Sequence, residues 1–132
     1  MRHVLLAEDN PGDVILIREA LRSAGFEFEL TVQQDGERML SHIEMIDKGE
    51  KTCPDVVLLD LNLPKTSGHA LLERMRAHGL CKDIPVIIVT SSDSIKDRET
   101  AVRLGASDYF RKATDYDEFM RLGPLVKRYA AA

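Results

Sequence analysis

A chain of 132 residues, 44% of them hydrophobic, has the size of one domain around one core. Its net charge of −4 argues against a general nucleic-acid binder, and no apolar run approaches the roughly 20 residues of a membrane span. Met1-Arg2-His3 enters a strand pattern at once, so no signal peptide and a cytoplasmic location are expected. Cys53 and Cys81 lie far apart, form no CxxC, and are expected as reduced thiols.

Strand and helix patterns alternate along the chain, which predicts an α/β fold with a parallel sheet. Val4 to Ala7 is a first strand running into Glu8-Asp9. Val14, Ile17, Leu21 and Ala24 recur at helical spacing, predicting a helix over about Asp13–Ala24 that ends at Gly25. Phe28 to Val32 alternates with Glu27 and Glu29 like a half-buried edge strand, and a second helix over about Glu37–Asp47 turns Leu40 and Ile43 inward. Lys48 to Pro54 is a polar loop. Val56 to Leu59 is apolar throughout, as a strand covered on both faces should be, and runs into Asp60. Pro64 to Gly68 is a loop, with Ser67 placed to cap a helix to about His78. Val86 to Val89 runs into Thr90, Ser94 caps the next helix, Gly105 ends it, and a last strand around Tyr109 leads to Lys112. Asp115 to Leu122 reads as helix, and Gly123-Pro124 predicts a kink or a new helix with Pro124 in its first turn.

Five strands joined by right-handed crossovers predict the order 2-1-3-4-5, a flavodoxin-like three-layer (βα)5 arrangement. In such a sheet ligands bind at the carboxyl ends of the strands, where the order reverses. Glu8, Asp9 and Asp60 then converge. Their mutual repulsion calls for a hard cation, and oxygen-only ligands favour Mg²⁺, with Mn²⁺ as the alternative, over zinc. Thr90 adds a hydroxyl and Lys112 an ammonium, so a phosphoryl group can approach an otherwise acidic site. Asp60 ends the central strand and is the best candidate for a carboxylate nucleophile that becomes an acyl phosphate.

Each residue alone has an ordinary explanation. A Glu-Asp pair after a strand is usually a solvated turn, Thr90 a turn residue, Lys112 a surface charge and Tyr109 a packed ring with a wet hydroxyl. Placement together at four strand ends sets them apart. His3, His42, His69 and His78 match no ligand spacing and read as surface or satisfied residues, and Met39, Met45, Met75 and Met120 as helix filler.

Glu8-Asp9, Leu59-Asp60-Leu61-Asn62-Leu63-Pro64, Val89-Thr90-Ser91-Ser92, Gly68, Gly105-Ala106-Ser107-Asp108-Tyr109 and Lys112 resemble the receiver domain of two-component response regulators over essentially the whole chain. Glu8-Asp9-Asn10-Pro11-Gly12-Asp13 and the long polar loop before Asp55 are similar to the small single-domain regulators that partner bacterial phytochrome kinases. The resemblance implies one receiver domain over residues 1–132, without an output domain, and a phosphoacceptor rather than an enzyme. It implies that Asp60 takes phosphate from a kinase histidine. Asp9, Asp60 and the Asn62 backbone carbonyl would hold Mg²⁺, and Glu8 would act through a metal-bound water. Lys112 would hold a phosphoryl oxygen, and Thr90 and Tyr109 would be the switch pair. Asn62 and Ser92 would set the lifetime of the acyl phosphate. A sensor histidine kinase, a bacterial phytochrome among the candidates, and a phosphotransfer protein are the implied partners. A homodimer through the fourth helix, fifth strand and fifth helix is expected, with Phe110, Tyr116, Phe119 and Leu122 near that surface, some of them packed inward and the rest leaving an apolar patch. Two departures stand out: Glu8 where Asp is commoner, and Ala113 where a cis-proline is usual, so that a trans bond is expected. A Mg-dependent phosphatase of the haloacid dehalogenase type is the alternative, but Asn62 stands where that chemistry wants a second Asp. A flavodoxin-like cofactor site is disfavoured because Glu8-Asp9 would repel a phosphate.

Overall fold

The computed structural model describes residues 1–77, 79 and 81–131. Five parallel strands, β1 (Arg2–Ala7), β2 (Phe28–Gln33), β3 (Val56–Leu59), β4 (Val86–Thr90) and β5 (Asp108–Arg111), lie in the order β2-β1-β3-β4-β5. The helices are α1 (Pro11–Ser23), α2 (Gly36–Asp47), α3 (Gly68–Ala77), α4 (Ile95–Arg103), α5 (Tyr116–Met120) and α6 (Leu122–Ala131). The expected order is therefore the observed one.

Alternation along the strands divides the core between the two faces of the sheet. Leu5, Ala7, Val57, Leu59, Val86 and Ile88 pack with Met39, Ile43, Leu71 and Ala101, from α2, α3 and α4. Val4, Leu6, Val56, Leu58, Ile87 and Val89 pack with Ile17, Leu21, Phe119 and Val126, from α1, α5 and α6. β3 and β4 are buried at every position, which explains their unbroken apolar runs.

Local signals set the helix ends. α1 starts before Asp13 because Asn10 caps it, accepting the Asp13 N–H at 3.1 Å, and Pro11 occupies the first turn, where its missing N–H costs nothing. Ser94 caps α4 by accepting from Asp97 N–H. Ser67 Oγ accepts the Ala70 N–H at the start of α3, which ends at Ala77; His78, the expected end, lies outside the described residues. On α2 the buried face is Met39, His42, Ile43 and Ile46, with Leu40 only half-buried. His42 is satisfied by Gln33, at 3.1 Å.

The C-terminal segment is two helices, with Arg121 between them and Pro124 in the first turn of the second. Gly123 is needed there by close approach: a Cβ would lie 2.1 Å from the Ala20 carbonyl oxygen of α1.

One expectation needs correction. Cys53 and Cys81 form a disulfide instead of remaining reduced. They precede β3 and β4, which are neighbours in the sheet, so residues distant in sequence meet at its amino edge. Of the four large side chains expected near the last strand, some of them packed inward, Phe119 and Leu122 are core residues facing α1, while Tyr116 on α5 is exposed (48%). The other large apolar side chains exposed in this region are Ile95 (76%) and Val102 (64%) on α4.

Candidate functional site

The register of the sheet builds the site. Ala7 pairs with Leu59, and Asp60 N–H donates to the Ala7 carbonyl at 3.1 Å, so Glu8 and Asp60 leave adjacent strands at the same level. Thr90 pairs with Arg111, and Lys112 N–H donates to the Thr90 carbonyl at 2.8 Å. The lysine therefore turns in from the end of the edge strand over the ends of β4 and β3.

Glu8, Asp60 and Thr90 are buried, whereas Asp9 and Asn62 are exposed at the rim. Asp60 Oδ1 accepts the Asn62 N–H at 3.0 Å, and its Oδ2 takes Lys112 Nζ at 3.0 Å. Gly68 lets α3 begin directly against Asp60: a Cβ there would lie 2.3 Å from the Asp60 carbonyl oxygen.

Glu8, Asp9 and Asp60 each offer a carboxylate oxygen within 4.8 Å of the others. Glu8 Oε2 accepts the Asn10 N–H at 3.2 Å. Glu8 Oε1 lies 2.6 Å from Lys112 Nζ, an ion pair between two largely buried side chains. Burial, opposed by Lys112 and reinforced by Asp60, pushes Glu8 up from 4.5 to about 7. Three carboxylates this close repel one another, and their oxygens fit a divalent cation with oxygen ligands. Burial would lower the Lys112 pKa, but Asp13, Glu8 and Asp60 outweigh it and raise the value, so the ammonium stays charged.

Tyr109 is tied to the β4–α4 loop. Its hydroxyl donates to the Ser92 carbonyl at 3.1 Å, and the Arg98 guanidinium sits 5.3 Å from the ring centroid. Ser92 Oγ in turn donates to Asp97 at 2.7 Å. The peptide bond between Lys112 and Ala113 is trans, as expected.

Asp13 joins the site without having been expected there. Its Oδ2 lies 2.8 Å from Lys112 Nζ. From sequence it reads only as an acid in the first helical turn. The missed signal is the strand alternation: Glu8 and Asp60 follow Ala7 and Leu59, so they turn toward the face that α1 covers.

A family model for the response regulator receiver domain matches residues 4–122. The chain belongs to the response regulator receiver family. This receiver is 31% identical over 126 residues to the probable methanogenesis regulatory protein FilR2 of Methanothrix harundinacea, covering 96% of this chain and 81% of that one. It is 28% identical to the response regulator Rcp1 of Synechocystis, covering 90% and 82%. It spans only 45% of the transcriptional regulatory protein TrcR of Mycobacterium tuberculosis. Among solved structures it resembles the Mn²⁺-bound form of Rcp1, with a TM-score of 0.86 at 26% identity over 96% of this chain and 92% of the other. It also resembles the phosphorylated cyanobacterial phytochrome response regulator RcpA, with a TM-score of 0.88 at 26% identity over 99% and 94%. Receiver domains are phosphoacceptors rather than enzymes in the usual sense, and nothing in these matches favours the phosphatase alternative.

Proposed function

We propose that this receiver acts as a stand-alone regulator in which Asp60 accepts a phosphoryl group from the phosphohistidine of a sensor kinase. The observation that carries this reading is one carboxylate at the end of the central strand with Lys112 on one oxygen, the Asn62 amide on the other and two acids beside it. An Asp60 oxygen attacks phosphorus, the P–N bond breaks, and the imidazole leaves with the electron pair. Asp9, Asp60 and the Asn62 carbonyl would hold Mg²⁺ or Mn²⁺, with Glu8 acting through water; the cation would neutralise phosphoryl oxygens. Lys112 and Thr90 donate to the new phosphoryl group. Incubation with Mg²⁺ and acetyl phosphate should label wild type with a base-labile phosphate and leave Asp60→Asn unlabelled. Labelling of that variant at another residue would refute the assignment.

A bacterial phytochrome is the kinase we favour, because RcpA is a phytochrome response regulator and its fold is followed over 99% of this chain. An open hollow of about 260 Å³ lies on the β2 side of Glu8 and Asp9, lined also by Pro11, Val14 and Ile15. Onward transfer to a phosphotransfer protein would start from the same Asp60 phosphate. We place the chemistry in the cytoplasm; no described helix is long and apolar enough to cross a membrane.

The switch we propose runs from Thr90 to Tyr109, whose hydroxyl already engages the Ser92 carbonyl. Ser92 and Asn62 flank the phosphorylated carboxylate and would set its lifetime. The output surface is α4-β5-α5, which forms a homodimer and no nucleic-acid contact. Exposed Ile95 and Val102, seven residues apart on one helix face, support that surface. Sedimentation velocity with and without phosphate, on wild type and Val102→Asp, tests it. A wild type that stays monomeric at high micromolar concentration in both states would overturn the dimer.

A further inference from the structure

The Lys112 ammonium has three N–H donors and three carboxylates around it, Glu8 at 2.6 Å, Asp13 at 2.8 Å and Asp60 at 3.0 Å. Two of those three, Glu8 and Asp60, belong to the acidic cluster that fits a cation. A cation there would draw on the same carboxylates that pair with the lysine. Asp13 stands outside that cluster, in the first turn of α1.

The local geometry leaves the Asp13 carboxylate available. In a reciprocal capping arrangement an acid three residues after the cap would reach back to the N–H of the capping residue. Here the Asn10 N–H is already taken by Glu8 Oε2 at 3.2 Å. Asp13 therefore keeps only its own N–H on Asn10 Oδ1 and turns its carboxylate to Lys112.

Resting on the reading of this site as one for a divalent cation, we propose that Asp13 is a positioning residue: it is the carboxylate that holds the Lys112 ammonium when the cation engages Asp60 directly and Glu8 through water. Without Asp13 the ammonium has only the cation's own ligands to pair with, and it competes with the cation for them. With Asp13 the lysine stays at the end of β5, one donor engaged and two directed to the site, in place for a phosphoryl oxygen.

The test is a double-mutant cycle on Mg²⁺ affinity, measured by isothermal titration calorimetry in the absence of any phosphodonor. Asp13→Asn should weaken Mg²⁺ binding about five- to tenfold, roughly 1.0–1.4 kcal/mol, when Lys112 is present. In a Lys112→Met background the same substitution should change affinity less than twofold, because no ammonium competes. Equal losses in both backgrounds would mean that Asp13 acts only as a nearby negative charge, and would overturn the proposal; so would no loss in either. If Asp13→Asn fails to fold, Asp13→Ser carries the same cycle. Should wild type bind no Mg²⁺ at all, the reading of the site itself fails, an outcome distinct from a null cycle. The cycle is extended to the initial rate of labelling by acetyl phosphate at saturating Mg²⁺. There Asp13→Asn should be slower than wild type about fivefold, and a rate within twofold of wild type would refute the alignment role.

Discussion

Glu8→Gln should make the metal-free protein more stable. Glu8 is 1% exposed, and burial, partly offset by Lys112 and increased by Asp60, raises it from 4.5 to about 7. Between those values the folded protein holds a proton that the unfolded chain has released. This group's contribution to stability is therefore fully present below about pH 4.5 and is lost as the pH rises through about 7. At about 1.4 kcal/mol for each tenfold, the gap amounts to roughly 3 kcal/mol at pH 8, as an upper bound. Glutamine keeps the shape and cannot ionise, so the variant should exceed wild type by about 2–3 kcal/mol at pH 8 in EDTA. The advantage should shrink to nearly nothing by about pH 4.5. Urea unfolding of both proteins across that range measures it. With millimolar Mg²⁺ wild type should gain more than the variant, because a ligand that binds only the folded state adds stability by mass action. The reasoning is refuted if Glu8→Gln is no more stable than wild type at pH 8 without metal. It is equally refuted if its advantage does not fall on acidification.

Gly68→Ala should cost about 2–3 kcal/mol in urea unfolding and slow labelling of Asp60, since the added Cβ would lie 2.3 Å from the Asp60 carbonyl oxygen and 2.7 Å from Leu61 Cα, where only backbone can give way. Unchanged stability would show that α3 does not start against that carbonyl. The link between Cys53 and Cys81 spans 28 residues, and the chain-entropy estimate for such a loop is about 3–4 kcal/mol. A reductant should lower the urea midpoint of wild type accordingly and leave Cys53→Ser/Cys81→Ser unmoved. Two free thiols titrating in denaturant without reductant would contradict the link.

The strands and most helices were readable because their patterns are local. The apolar runs at Val56–Leu59 and Val86–Val89 announce strands buried on both faces, and Asn10, Ser67 and Ser94 act as caps within a few residues of themselves. The core of the site was readable for a related reason. Glu8, Asp60, Thr90 and Lys112 each end or follow a strand, and a parallel sheet brings such ends to one edge. Three features were not. Asp13 reaches Lys112 across 99 residues, and nothing near it in sequence distinguishes it from any acid in a first helical turn. The cysteines meet because β3 and β4 are neighbours, a fact of topology that spacing does not carry. Phe119 and Leu122 point inward because α5 and α6 pack on α1, a contact that a five-residue helix followed by Gly-Pro does not disclose. Sequence by itself determined which groups stand at the strand ends, since periodicity and capping are short-range. Which carboxylates surround the ammonium, and which aromatic faces water, were decided by packing between elements far apart in the chain.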